Sequence, residues 1–509
     1  METKKENQKN VLLKILSGLS FVIMLMWLYS ALVSENFYLP GTPRYLSLIL
    51  FSLFSGTMGY FLWIKRVLRK KIFSFCTYMN NQKSFVFLAM IVYQLVVLLF
   101  SSTMPGFDVG FLFNIVRGNV GFAYLQMNPN NFLLFLLYNA VRSLVLMQFL
   151  NAIAINTAII LLYRFAKRFY SRKVADISFF FFVLLLGMTP WLLIPYSDTL
   201  PLPLVIGVMY LCRLHKEKPK KLYLGVTSGV LSAVIYLLKP SAIIFLMAFF
   251  IMVWFEKLAI KKKIIDNLAM LFSFFFGLMT VLSVWSVYTR HQNHVHLDPD
   301  LAVPPTHFIM MGLYGTGGFN SGDVERTVSV EGREARVEMN IEEIQNRLRA
   351  FGFMGYARFL GGKFYRTMED GTLGWGNEGN FLIYENLNDK ALLYHFVNSG
   401  LGRVIQSFVY PEGRFAFVYR FIAQIVWIVL IIGLLLSIVF TKKYSFEYEW
   451  QLLALFGAIL FLMIFESGRS RYLIQFLPTI LLLSSRGFES LFANSKESKA
   501  IEELNRLLN

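Results

Sequence analysis

The sequence predicts an all-α, polytopic membrane protein, and three observations carry that expectation. The 509-residue chain is 56% hydrophobic and only 16% charged, with a mean hydropathy of +0.54. A soluble domain carries about 25% charged residues. Apolar runs approaching the ~20 residues that cross a bilayer recur along the chain. The basic residues gather in short segments between those runs, as the positive-inside rule requires. The net charge of +18 is therefore spread over many connections. It forms no nucleic-acid-binding patch, and nucleic acid is not an expected partner. Membrane lipids are, because anionic headgroups attract such juxtamembrane clusters.

The elements follow in chain order. Lys4, Lys5 and Lys9 precede an apolar stretch from Val11 to Val33, which is too long for a signal-peptide core and reads as a retained first span. Further spans are expected near 46–64, 84–103, 146–166, 177–194, 199–214, 222–238, 241–256, 267–289, 417–440, 449–466 and 472–486. Twelve crossings put both termini in the cytoplasm. The basic segments 65–71, 164–173, Lys216 to Lys221, Lys257 to Lys263 and Lys442-Lys443 then share the inner side. Asn131–Ser143 is apolar enough to insert, but a full crossing there would move Arg164–Lys173 outside. An interfacial or re-entrant helix after Pro129 is expected instead. The two cysteines, Cys76 and Cys212, set up no disulfide framework.

Three regions result: an N-terminal membrane module over 1–289 with an outer loop at 103–131, an extracytoplasmic loop domain over 290–415, and C-terminal helices with a cytoplasmic tail over 416–509. The long loop is expected to hold a helix at Asn340–Ala350, with Asn340 as N-cap and Glu343 at the reciprocal position. A second amphipathic piece covers Phe353–Tyr365, and glycine-rich turns lie at 315–318 and 371–379.

The chemistry-bearing residues fall on the predicted outer side. Asp108 follows the third run, in Met104-Pro105-Gly106-Phe107-Asp108, where a carboxylate suits a general base that takes a proton from a sugar-acceptor hydroxyl. The alternative is a helix cap for Val109–Val116. Glu466-Ser467-Gly468-Arg469-Ser470-Arg471-Tyr472 places two arginines against the positive-inside pattern, and arginine forks suit phosphate oxygens. The alternative is pairing with Glu466 and snorkelling. Lys239, before Pro240, either holds the same phosphate or snorkels to the headgroups. In another hairpin with Tyr196, Asp198 either hydrogen-bonds sugar hydroxyls, balances a lysine or arginine, or only forms a turn. Asn320 and Asp323 read as sugar or cation ligands, or as turn residues. His291, His294 and His296 match no strict metal pattern. Trp375 is a candidate platform for a sugar ring.

These stretches, with Asn128-Pro129-Asn130-Asn131, Pro195 to Thr199, Lys239-Pro240 and Phe308 to Asp323, make the chain resemble the GT-C superfamily of integral membrane glycosyltransferases. Within it, the chain looks like the family 39-type enzymes of Gram-positive bacteria. The resemblance is scattered from about residue 84 onward. It implies about twelve membrane helices with outer interfacial helices and a mixed outer loop domain. It implies transfer of a sugar from a polyprenyl-phosphate donor to a cell-envelope acceptor outside the membrane. By position, Asp108 would be the base and Arg469 or Arg471 would meet the donor phosphate; from the residues themselves, Lys239 is a further phosphate candidate and Tyr196, Asp198, Asn130, Asn320, Asp323 and Glu466 are candidates to line the substrate. Two spans precede the Asp108-bearing one, where the family has that span first. The family's paired acidic motif is absent from Phe107-Asp108-Val109-Gly110, which leaves a divalent cation as a possibility and not a requirement. A membrane polysaccharide polymerase is the alternative reading, and a lipid-linked saccharide flippase or transporter the third.

Overall fold

A computed structural model describes residues 2–37, 82–259, 264–376, 382–385, 393–441, 444–466 and 468–491. The expected span 46–64, Cys76, the basic segments 65–71 and Lys442-Lys443, residues 260–263, Asn377, Glu378 and Ser467 lie outside them.

The chain is an α-helical polytopic membrane protein. In order, the described helices of seven residues or more are α1 Glu2–Leu32, α2 Lys83–Phe100, α3 Phe107–Val116, α4 Phe132–Val141, α5 Leu144–Phe169, α6 Arg172–Phe182, α7 Leu202–Glu217, α8 Leu222–Leu238 and α9 Ile244–Ala259. Then come α10 Ile264–His291, α11 Pro305–Met311, α12 Ser321–Ser329, α13 Arg333–Met368, α14 Gly400–Val409, α15 Ala416–Phe440 and α16 Phe446–Phe465. A last helix, α17, covers 477–491. Among the described residues six helices are long and apolar enough to cross a membrane: α1, α2, α5, α10, α15 and α16. Serine caps start several helices of the bundle. Ser143 accepts from the Leu146 amide, Ser171 from Val174 and Ser445 from Tyr448, each meeting a donor the first turn leaves unpaired.

α4 has ten residues. It is therefore ~15 Å long, about half a bilayer core, and does not cross one. Arg142 in the left-handed region ends it, and the Ser143 cap starts α5 directly.

The two ends of the bundle differ in chemistry. At one, Lys83 pairs with Asp176 at 2.5 Å, Arg213 with Glu447 at 2.5 Å and Lys216 with Glu256 at 2.8 Å. The described parts of the predicted basic connections meet there. The opposite end carries the segments 103–131, 195–201, 239–243 and the described residues of 290–415. Two-residue strands, β1 Thr103–Met104 and β2 Ile383–Tyr384, pair antiparallel and join the first of these segments to the last.

Two expected elements differ. Asn340 is no N-cap: α13 already starts at Arg333, and Asn340 is fully buried within it. Its amide nitrogen donates to Thr306 Oγ1 and its oxygen accepts from Thr327 Oγ1, so tertiary bonds replace the local capping role. α13 also contains the Phe353–Tyr365 piece, beyond a break at Gly352, where φ is 57°. The expected span 177–194 is not a regular helix. α6 stops at Phe182, one wide turn reaches Gly187, and a short tight turn covers Pro190–Leu193, with Pro190 removing an amide donor.

α8 and α10 pack backbone to backbone. A Cβ at Gly229 would stand 2.0 Å from the Phe274 carbonyl oxygen, and one at Gly277 would stand 2.2 Å from that of Val226. Gly225 and Gly229 form a small-xxx-small face, which lets membrane helices approach closely. Gly229→Leu is expected to lower the thermal midpoint of the detergent-solubilised protein by several degrees, at a cost of about 1–3 kcal/mol or more. Gly207→Ala in α7, which has open space, should leave it unchanged. An unaltered midpoint for the leucine variant would refute this packing.

Candidate functional site

Broken helix at membrane depth survives only when its backbone groups find partners inside the protein. The segment from Val183 to Thr199 finds them on α2, α4 and α5. Gln94 Nε2 donates to Gly187 O at 2.9 Å, and Gln148 Nε2 to Leu193 O at 3.0 Å. Asn151 Nδ2 faces the carbonyls of Trp191, Leu192 and Ile194, and its oxygen accepts from Thr199 Oγ1 at 2.6 Å. Tyr138 OH donates to Pro195 O at 2.7 Å. These bonds fix the hairpin that carries Tyr196 and Asp198, both buried.

Asp108 lies in the first turn of α3, after Gly106 at the N-cap position. It is not the cap residue, but the helix N-terminus favours its charge. The turn is tight. A Cβ at Gly110 would stand 2.5 Å from Pro105 O, and Phe107 is held at φ 57°. A bulky residue there costs roughly 1–3 kcal/mol and persists only where surroundings impose it. The Arg469 guanidinium lies 5.4 Å from the Phe107 ring centre. Half-buried Asp108 accepts a short hydrogen bond from Tyr196 OH, and the Tyr124 phenol also feels its charge. Burial, and next the Asp108 charge, hold both phenols well above their ordinary pKa, so each stays a donor. Asn131 Nδ2 donates to Tyr124 OH at 2.7 Å, and Phe111 stacks on the Tyr124 ring at 5.3 Å.

The second half of the site is a buried ion triad. Lys239 Nζ stands 2.9 Å from Asp198 Oδ1, and Arg471 Nη1 stands 3.3 Å from Asp198 Oδ2, with the carboxylate fully shielded from solvent. Burial works against the charged Lys239, but Asp198 and then Glu466 overcome it and raise its pKa. For Arg471 burial is likewise outweighed, by Tyr472 and then Asp198. The Arg471 guanidinium lies 5.2 Å from the Tyr196 ring centre and 4.8 Å from that of Tyr472. Tyr196 thus joins the halves: its hydroxyl is on Asp108 and its face is under Arg471. Glu466 is pushed up by burial, opposed first by Lys239 and then by Arg471.

Of the sequence-predicted residues, Asp108, Tyr196, Asp198, Lys239, Glu466 and Arg471 form one neighbourhood, with Arg469 against Phe107 at its edge. Asn320 and Asp323 are engaged elsewhere. Asn320 caps α12 by accepting from the Gly322 amide, and Asp323 makes a bidentate pair with Arg347 at 2.6 and 2.9 Å. Asn130 is exposed, and its neighbour Asn131 makes the contact to Tyr124. Trp375 is fully buried with its ring edge-on to Tyr419, so no sugar can stack on it. Among the described residues no three His, Cys, Asp or Glu side chains converge into a metal cage. Sequence reading missed Tyr124 and Lys363, and from the stretch Asn128–Asn131 it chose Asn130 where Asn131 makes the contact. Lys363 is a lysine of α13 beside Glu466, pushed down to about 8 by burial against the opposing Glu466 charge.

Tyr196→Phe keeps the ring under Arg471 and removes the donor to Asp108. Hydrogen bonds to charged groups contribute about 1.5–3 kcal/mol. If the sequence-based expectation of sugar transfer with Asp108 as base holds and Tyr196 orients that base, turnover should fall roughly ten- to a hundredfold with little change in KM, measured as initial rates. Wild-type turnover would remove Tyr196 from that role.

A family model described as conserved hypothetical integral membrane protein matches residues 8–491. No curated protein and no solved structure matches the chain.

Proposed function

The chain belongs to the conserved hypothetical integral membrane protein family, and from that premise we propose that it is a glycosyltransferase of GT-C type. It moves a sugar from a polyprenyl-phosphate carrier to a cell-envelope acceptor: a glycopolymer, lipid or protein. In this reading twelve spans leave both termini cytoplasmic. The end rich in basic ion pairs faces the cytoplasm, and the Asp108 end faces outward.

The observation that carries the proposal is the single phenol, Tyr196, shared by a half-buried carboxylate and a buried pair of cations. Asp108 takes the proton of the acceptor hydroxyl. The freed oxygen bonds to the anomeric carbon, and the bond from that carbon to the phosphate oxygen breaks. Its electron pair leaves on the carrier phosphate. Lys239 and Arg471, the two buried cations that meet at Asp198, stabilise the charge that develops on the leaving phosphate. The displacement is single and inverts the anomeric centre. The membrane delivers the donor, so no nucleotide-sugar domain is needed.

The test is transfer by the purified full chain from synthetic short-chain polyprenyl-linked sugars to a cell-envelope fraction. Labelled product that depends on the carrier supports the proposal. Absence of product from every lipid-linked sugar tried would overturn it.

A further inference from the structure

α13 changes character along its length. From Glu331 to Glu343 the chain carries five acidic and two basic residues. From Ile344 to Met368 every charged residue is basic: Arg347, Arg349, Arg358, Lys363 and Arg366. The break at Gly352 falls inside this basic stretch, and the chain leaves it through Phe353 and Met354. Phe353 is 88% exposed and Met354 73%. No large apolar side chain on the described membrane spans is as exposed as Phe353, although Phe353 stands outside all of those spans.

Beyond the break, the exposed stripe of the helix runs through Met354, Ala357, Arg358, Gly361 and Gly362 to Arg366. A Cβ at Gly361 or Gly362 would meet nothing within 4 Å, so that side is open. A helix washed by water carries mostly polar side chains on its outer stripe. Apolar residues with arginines beside them suit a helix lying at a lipid surface.

The seat of the helix brings it to such a surface. Tyr365 OH donates to Val33 O at 3.2 Å, just past the end of α1. A Cβ at Gly468, shortly after α16 ends, would stand 3.2 Å from Lys363 Cγ. The helix therefore rests on the ends of two spans, beside their exposed Tyr29, Leu32, Ile464 and Phe465 side chains. Phe353 lies ~18 Å back along the helix from Tyr365. Area decides between occupants. Phe353 and Met354 offer roughly 300–400 Å² of surface, about half of the ~800 Å² that each partner brings to a stable protein interface. A second copy or a soluble protein would find too little there. A bilayer needs only side chains that enter it and cations that meet its phosphates.

We propose that the second half of α13 is a lipid-binding element: Phe353 and Met354 enter the leaflet at the Asp108 end of the bundle, and Arg349, Arg358 and Arg366 bind anionic lipid headgroups.

The experiment places a nitroxide on the full chain at Phe353→Cys, with Glu338→Cys as the exposed control, after Cys76→Ala and Cys212→Ala. The protein is held in nanodiscs of phosphatidylcholine, with or without one-third phosphatidylglycerol. Oxygen should relax the 353 label about threefold or more better than a water-soluble nickel chelate does, and the control should show the reverse. Phosphatidylglycerol should raise the ratio at 353, and Arg349→Gln with Arg358→Gln should cancel that rise. A 353 label as open to nickel as the control overturns the proposal, as does dipolar broadening from a second copy. A ratio that ignores phosphatidylglycerol overturns the assignment to anionic headgroups. In the chain with both cysteines kept, benzoylphenylalanine at position 353 should form lipid adducts on illumination. Their absence, in protein that melts as the wild type does, also overturns the proposal.

Discussion

Asp108→Asn is expected to reduce sugar transfer about a hundred- to ten-thousandfold, the range a positioned general base contributes. The substitution changes the charge and little else. The amide oxygen still accepts from Tyr196, so α3 and its strained first residue keep their contacts. Folded yield and thermal midpoint should therefore match the wild type, while the acceptor hydroxyl has nothing to take its proton. Initial rates at equal protein level decide the matter. A rate within about threefold of wild type would exclude Asp108 as the base.

Asp198→Asn is expected to act on stability before chemistry. The wild-type carboxylate is fully buried between Lys239 and Arg471, whose side chains are 11% and 5% exposed. Taking its charge away leaves two buried cations facing an amide. Removing one partner from a buried ion pair costs about 3–5 kcal/mol, a large share of the ~5–15 kcal/mol that holds a folded domain together. The variant should be recovered in reduced amount and melt well below wild type. Adding Lys239→Met should recover part of the loss, because one cation then has no charge to compensate. If the single variant melts as the wild type does, the triad is not the electrostatic centre of this end of the bundle.

Much of this site was legible in the sequence because its residues break membrane rules. Lys239, Arg469 and Arg471 stand in short connections between apolar runs, away from the lysine- and arginine-rich segments 164–173 and 216–221, and Asp108 and Asp198 sit beside apolar runs. Such violations need no tertiary information to be seen. Lys363 broke no rule. Along α13 it reads as one of many charged positions on an amphipathic helix, and only Gly317 and Gly468 arriving from elsewhere bury it. Gln148 and Asn151 were equally silent, since a polar residue in a span states a need for a partner but not which carbonyls it will serve. Asn340 misled because Asn followed by Glu343 imitates a helix start, whereas Thr306 and Thr327 hold it inside α13. The break after Phe182 was hidden by composition alone: Val183 to Leu186 are as apolar as a continuous helix would be.

Asp370 has a consequence for how the protein is made. Its carboxylate receives Asn36 Nδ2 at 2.7 Å, the amides of Thr372 and Gly374, and the Ser470 hydroxyl at 3.1 Å. Asn36 also reaches Gln424 on α15. The end of the first helix is thus fastened through residues that leave the ribosome hundreds of positions later. At about 5–20 residues per second, the chain needs roughly half a minute or longer to supply Ser470 after Asn36 has emerged. Throughout that interval α1 must wait in the bilayer without its final neighbours. The early helices then depend on the insertion machinery or on lipid to shield them, and a ribosome stalled before α15 would leave behind an anchored fragment that lacks these ties. Completion of the site is a late event in biogenesis, set by the arrival of the last tenth of the chain.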